Sequence, residues 1–265
     1  MLAIEREQKI LDYLTEHHVA STQYLCDLTN SSLATVRRDL KSLADRKLLI
    51  RTHGGAQGIE LSDVTNESYN QSTIFSCYAK DPQYMYKNSI AQKAVEFIQS
   101  NDTIFIGAGV TCNLLCQHLS NSNLENVMVV TTNVTAVSEL VRSPHITTFL
   151  LGGTVHLGTN HIETLDDYTI QSLNKLFFDK AFFTVDGIDL NNGYSIINHA
   201  QLPLYNYLLS NTKEIYLLAN QGKYDKRTFT HLCSLDTISN VITNSDCNSN
   251  YMKYYQEHHV TVYTA

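Results

Sequence analysis

Five short segments place glycine, hydroxyl, amide, carboxylate and amine groups directly after runs of apolar residues. They are Gly107-Ala108-Gly109-Val110-Thr111, Asn133, Gly152-Gly153-Thr154, Asp186-Gly187-Ile188-Asp189 and Asn220-Gln221-Gly222-Lys223. Glycines let backbone amides approach an anion, and a helix starting near Thr111 adds its positive end. Lys223 supplies a point charge, and Asp186 can accept sugar hydroxyls. Together, Gly107, Gly109, Thr111, Asn133, Gly152, Gly153, Asp186 and Lys223 outline a pocket for a small phosphorylated polyol. Each segment alone also has a plainer reading. Tight strand-to-helix joints need small residues, an aspartate can cap a turn, and a lysine near a strand end is usually solvated.

A second group of residues has different chemistry. In the stretch SLATVRRDL, Ser32 can cap a helix in which Leu33, Val36, Leu40 and Leu43 share one stripe. That stripe leaves Ala34, Thr35, Arg37, Arg38 and Lys41 on the flanks and outer face. Such a helix fits the major groove of DNA, with its first residues at base edges and its arginines on bases or phosphates. An isolated Arg-Arg pair is most often just a solvated helix face. Here it stands beside a predicted hairpin, with Leu48 to Arg51 as one strand, Gly54-Gly55 as the turn and Ala56 to Ile59 as the return. The hairpin would form a wing, with Arg51 and His53 near the phosphate backbone.

These side chains need elements to position them. Leu2, Ile4, Ile10, Leu11 and Leu14 predict a first helix ending near Glu16. Ser21 predicts the cap of a second, with Tyr24, Leu25 and Leu28 inward. Residues 1–60 thus form a small winged helix-turn-helix domain. The polar stretch 61–86 reads as a linker, and 87–265 as a larger α/β domain with a mostly parallel sheet. In that domain helices at 88–99, 111–119, 134–141, 167–176 and 202–209 alternate with strands. The strands fall at 103–106, 127–132, 146–151, 180–185, 214–219, 240–243 and 260–263. Open sheets of this kind bind ligands at the carboxyl ends of their strands, where the five segments lie.

The run Ser32 to Leu40, then Leu43 and Arg51-Thr52-His53-Gly54-Gly55-Ala56, resembles the N-terminal signature of the DeoR family of bacterial transcription regulators. LLGGTVH, FFDKAFFTVDGIDLNNGYSI and IYLLANQGKYDKRTF are similar to that family's sensor domain. The resemblance implies a fold shared with ribose-5-phosphate isomerase and coenzyme A transferases, and a phosphorylated sugar or related metabolite as effector. It adds Asn198 to the effector-binding residues and supports Asp186 and Lys223. Several positions depart from the family pattern. Ser31 replaces an apolar residue and Lys47 a helix-ending glycine. Gly107-Ala108-Gly109-Val110-Thr111 stands where the family commonly has Asp-Ala-Gly-Thr-Thr. Gln201 replaces a glutamate, while Asn220 and Gly222 stand near an aspartate and a serine. Such changes alter which hydroxyls a pocket recognises.

Composition narrows the classes further. The formal charge is −7, yet residues 1–56 hold eight Lys/Arg against seven Asp/Glu. Within 35–55, six basic residues face two acidic ones, a local +4 that favours a polyanion. Six cysteines without a CxxC pair, and a charged start (MLAIEREQKILDYL), predict a cytoplasmic protein with reduced thiols. No run approaches the roughly 18 apolar residues of a membrane span. The paired histidines at 17–18 and 258–259 lack zinc-ligand spacing, so neither metal nor cofactor is expected.

The expectation is a DNA-binding regulator, a repressor of sugar-use genes, working as a homodimer or homotetramer and not as an enzyme. Its DNA contacts would be Ser32, Thr35, Arg37, Arg38, Lys41, Arg51 and His53. The alternative is a sugar-phosphate isomerase or coenzyme A transferase with an accessory domain. Such chemistry needs a carboxylate base; the strand ends offer Asp186 and Asp189, but Gly107, Gln201 and Asn220 lack a carboxylate at the other expected places.

Overall fold

The computed structural model describes residues 3–17, 19–45, 49–52, 54–57, 81–158 and 161–265. The chain divides into two compact units, 1–76 and 77–265.

In the first unit α1 (Ala3–His17), α2 (Thr22–Thr29) and α3 (Leu33–Asp45) surround a small core of Ile10, Leu14, Leu25, Val36, Leu40 and Leu43. Ser21 caps α2 by accepting from the Tyr24 amide, and Asn30 ends it in the left-handed conformation at φ 48. Three short strands, β1 (Val19–Ser21), β2 (Ile50–Thr52) and β3 (Gly55–Gln57), form an antiparallel sheet in the order β1-β3-β2.

Three expectations are corrected here. Tyr24 is 44% exposed rather than buried, its ring 4.7 Å from that of Tyr13. Leu33 is 42% exposed, since it opens α3 beyond the packed stripe. Asp39 takes the buried place beside Leu40, and its carboxylate receives the Arg6 guanidinium through two bonds, at 2.5 and 3.1 Å. In the wing, Thr52 pairs with Gly55, so the reversal falls at Gly54, with φ +94, and Gly55 belongs to the return strand.

In the second unit seven strands form one all-parallel sheet. They are β4 (Thr103–Ile106), β5 (Val127–Thr131), β6 (Ile146–Leu150), β9 (Phe178–Phe183), β12 (Thr212–Ala219), β14 (Asn240–Thr243) and β15 (Thr261–Thr264). Their order is β15-β14-β12-β9-β4-β5-β6. The chain steps outward from β4 to β6, returns to lay β9 beside β4, then steps outward the other way. The order therefore reverses between β4 and β9, and a crevice forms at the carboxyl ends of strands that diverge in this way. Parallel strands are buried on both faces, which explains apolar runs such as Ile104–Ile106 and Ala181–Phe183, all 0% exposed.

Helices α4 (Tyr84–Val95), α5 (Val110–Ser120), α6 (Val134–Leu140), α7 (Asp167–Leu173), α8 (Leu202–Asn211) and α9 (Ser249–Glu257) accompany the sheet. α4 begins at Tyr84, inside the stretch expected as linker, and ends at Val95 instead of 99. β9 begins and ends two residues before the expected 180–185. Three pieces were absent from the sequence reading: α9, the hairpin of β7 (Val155–Leu157) and β8 (Ile162–Thr164), and an antiparallel sheet. That sheet joins β10 (Gly187–Asp189), β11 (Gly193–Ile196) and β13 (Thr230–Cys233). β10 and β11 are short, and β7 is exposed at every position, so no buried alternation marks them.

Candidate functional site

The α3 face in the first unit is open. Ser32, Ala34, Arg37, Arg38 and Lys41 are exposed and Thr35 half-buried, while Val36, Leu40 and Leu43 anchor the helix from behind. The Ser32 hydroxyl accepts the Thr35 amide at 3.3 Å and lies 2.8 Å from the Thr35 hydroxyl. The Ser32 side chain thus caps the first turn of α3. Arg51 is exposed on β2. His53 and Lys47 lie outside the described residues.

In the second unit a cleft of about 430 Å³ opens at the reversal of strand order. Gly109 and Thr111 line it after β4, Asp186 after β9, Lys223 after β12, and Asn198 from the loop after β11. Gly109, at φ +125, lets the chain turn straight into α5, whose N-terminus faces the cleft without a side-chain cap. A positive helix end of this kind favours an anion. Lys223 Nζ stands 3.6 Å from Asp186, whose carboxylate also accepts the Ile197 amide at 2.8 Å. Burial pushes the Lys223 ammonium below the ordinary lysine range, against the pull of Asp186.

Four expected residues stand elsewhere. Gly107 is buried and gives its amide to the Phe182 carbonyl at 2.9 Å; a Cβ there would lie 3.0 Å from that of Phe183. Asn133, 0% exposed, caps α6 through the Ala136 amide and gives its own amide group to Asn113 at 2.6 Å. Gly152 offers its carbonyl to the Thr169 hydroxyl, and Gly153, at φ +146, turns the chain past the Asp166 cap of α7. These four shape the chain and do not line the cleft.

Other lining residues were missed. Lys87 comes from α4, where it holds Asp81 at 2.5 Å, and His156, His161 and Glu163 come from the β7–β8 hairpin. Gln201, noted only as a departure from a family pattern, gives its side-chain amide to both oxygens of Glu163 at 3.0 Å each. The cleft thus has a carboxylate that the strand ends alone did not supply. Asp189 lies outside the cleft lining, and its carboxylate accepts the turn amides of Asn191 and Asn192. Cys112 follows Thr111 but is buried, and burial pushes its thiol up to about 12, so it adds no nucleophile.

Comparison with known proteins decides the class. The model of the DeoR C terminal sensor domain matches residues 83–245, and that of the DeoR-like helix-turn-helix domain matches residues 6–61. The chain belongs to the DeoR family. This DeoR-family protein is 29% identical over 247 residues, 93% of each chain, to FruR of Bacillus subtilis (strain 168), described as an uncharacterized HTH-type transcriptional regulator. It is 28% identical over 242 residues, 90% of each chain, to the lactose phosphotransferase system repressor of Staphylococcus aureus (strain NCTC 8325 / PS 47). Among solved structures, ribose 5-phosphate isomerase from Plasmodium falciparum aligns over 52% of each chain, at 20% identity and a TM-score of 0.37.

Family membership makes the protein a DNA-binding transcription regulator and not an enzyme. Among the described residues no helix is long and apolar enough to cross a membrane, and no cluster of His, Cys, Asp or Glu is placed to hold a metal ion.

Proposed function

We propose that this DeoR-family regulator represses carbohydrate-use genes in the cytoplasm as a homodimer or homotetramer, and that a phosphorylated sugar in the cleft changes its operator affinity. The α3 face reads the operator through Thr35, Arg37 and Arg38, while Ser32, Lys41, Arg51 and His53 stand near phosphates. The cleft carries the effector half of this reading. Gly109, Thr111 and the α5 N-terminus receive the phosphate together with Lys223 and Lys87, and Asp186 and Asn198 take hydroxyls. Residues 1–60 act as the DNA-binding domain, and the α/β unit, which takes in α4 from Tyr84 onward, as sensor.

A ligand can shift operator binding only through different affinity for the DNA-bound and free states. A panel of hexose and pentose phosphates, scored for melting temperature and for release of a labelled upstream DNA fragment, tests this directly. At least one phosphate ester should raise the melting temperature and change DNA affinity, whereas the matching free sugar should do neither. If no phosphorylated sugar does either, the effector reading fails.

A further inference from the structure

We propose that the cleft is built for an amino-sugar phosphate, a ligand that carries an ammonium group beside its phosphate. This narrows the sugar-phosphate reading above and rests on it. The observation behind it is Glu163, a carboxylate in the cleft wall that is 3% exposed. Both of its oxygens accept from one neutral nitrogen, Gln201 Nε2, at 3.0 Å each. The ring nitrogen His161 Nε2 stands 4.0 Å from Oε1, too long for a hydrogen bond and an ion pair only when that ring is protonated.

Each lysine of the cleft faces a carboxylate other than Glu163. Lys223 faces Asp186 at 3.6 Å, and Lys87 holds Asp81 at 2.5 Å. Among the described residues lining the cleft, Glu163 is therefore the carboxylate without a lysine or arginine partner. A carboxylate withdrawn from water gains far more from a cation than from another neutral donor, because low local dielectric strengthens the pair. The same low dielectric makes a purely anionic ligand meet Glu163 as a like charge. A phosphate seated at the α5 N-terminus against Lys87 and Lys223 leaves a positive centre as the complement to Glu163. A hydroxyl offers that carboxylate a hydrogen bond but leaves its charge unmatched. Gln201 is the positioning residue: its amide reaches both oxygens from the 3₁₀ turn His199–Gln201 and fixes the carboxylate against the wall.

The test uses the full chain and matched pairs of probes: glucosamine, galactosamine and mannosamine 6-phosphates, each against its 2-hydroxy counterpart and its N-acetyl form. In calorimetric titration at least one amine should bind about tenfold or more tighter than its hydroxy partner, a factor of ten being the unit in which such a charge pair shows itself. N-acetylation, which removes the positive charge and keeps the phosphate, should abolish that advantage. Glu163→Gln should bind amine and hydroxy forms alike, with its unliganded melting temperature checking that it folds. Should the variant not fold, the wild-type affinities for the amine, hydroxy and N-acetyl forms decide the matter alone. If every hydroxy form binds as tightly as its amine, the proposal is overturned and the sugar-phosphate reading stands. If no phosphorylated sugar binds at all, both fall.

Discussion

At the scale of single residues, the two arginines of α3 owe their freedom to the helix period. Val36 and Leu40 face the core at 0% and 2% exposure, and Arg37 and Arg38, one and two positions on from Val36, are turned outward. Replacing both by alanine removes two cations from a solvated face without touching the core. Operator binding, followed by fluorescence anisotropy at moderate salt, should be lost while the melting temperature stays within a degree or two of wild type, as surface changes usually do. Unchanged affinity would remove α3 from the groove.

Asp166 makes the opposite use of a charge. Its carboxylate accepts the amides of Thr169 at 2.9 Å and Thr154 at 2.7 Å, which hold it down at about 2. An unfolded aspartate titrates near 4, so the stability from this charge is complete above about pH 4 and is lost as pH falls towards 2. Asp166→Asn keeps one of the two acceptor oxygens and removes the charge. The gap in melting temperature between this variant and wild type should shrink between pH 6 and pH 3; a gap that is the same at both would deny the charge a role.

At the scale of elements, the wing depends on two adjacent glycines with different duties. Gly54 supplies a positive φ in open space, whereas a methyl group on Gly55 would lie 2.2 Å from the Ala20 carbonyl oxygen on β1. Gly55→Ala must therefore push β1 off the wing sheet. Gly54→Ala meets no atom and adds only left-handed backbone strain, about 1–2 kcal/mol. In full-length protein Gly55→Ala should weaken DNA binding more than Gly54→Ala, and the reverse order would show that the β1–β3 pairing does not support the wing. The β7–β8 hairpin works in a similar way for the cleft. Thr164 gives its hydroxyl to the Leu151 carbonyl, and the Ile162 amide reaches Thr135 at 2.7 Å. These anchors hold the strand that carries Glu163.

At the scale of the whole molecule, an acidic chain of formal charge −7 concentrates its cations where a polyanion is to be met. DNA affinity should fall linearly on logarithmic axes as salt rises, because each phosphate contact releases counterions. Arg51→Ala should reduce the magnitude of that slope by about 1 and weaken all sequences alike; a slope that does not change would place Arg51 away from the backbone.

The sequence by itself determined what depends on near neighbours. The caps at Ser21 and Ser32, the period of Val36, Leu40 and Leu43, the hairpin at Gly54 and the apolar strands from Thr103 to Thr264 all follow from local rules. So do Gly109, Thr111, Asp186, Asn198 and Lys223 as candidates, since they sit just after strands or carry a family pattern. Only the tertiary structure decided which strand ends converge. It laid β9 beside β4, brought Gln201 to Glu163 across 38 positions, and turned Gly107, Asn133, Gly152 and Gly153 to backbone duties. No periodicity announces such pairings, because a hairpin of two three-residue strands, one exposed and one buried, is too short to show a pattern and gains its place from partners distant in the chain.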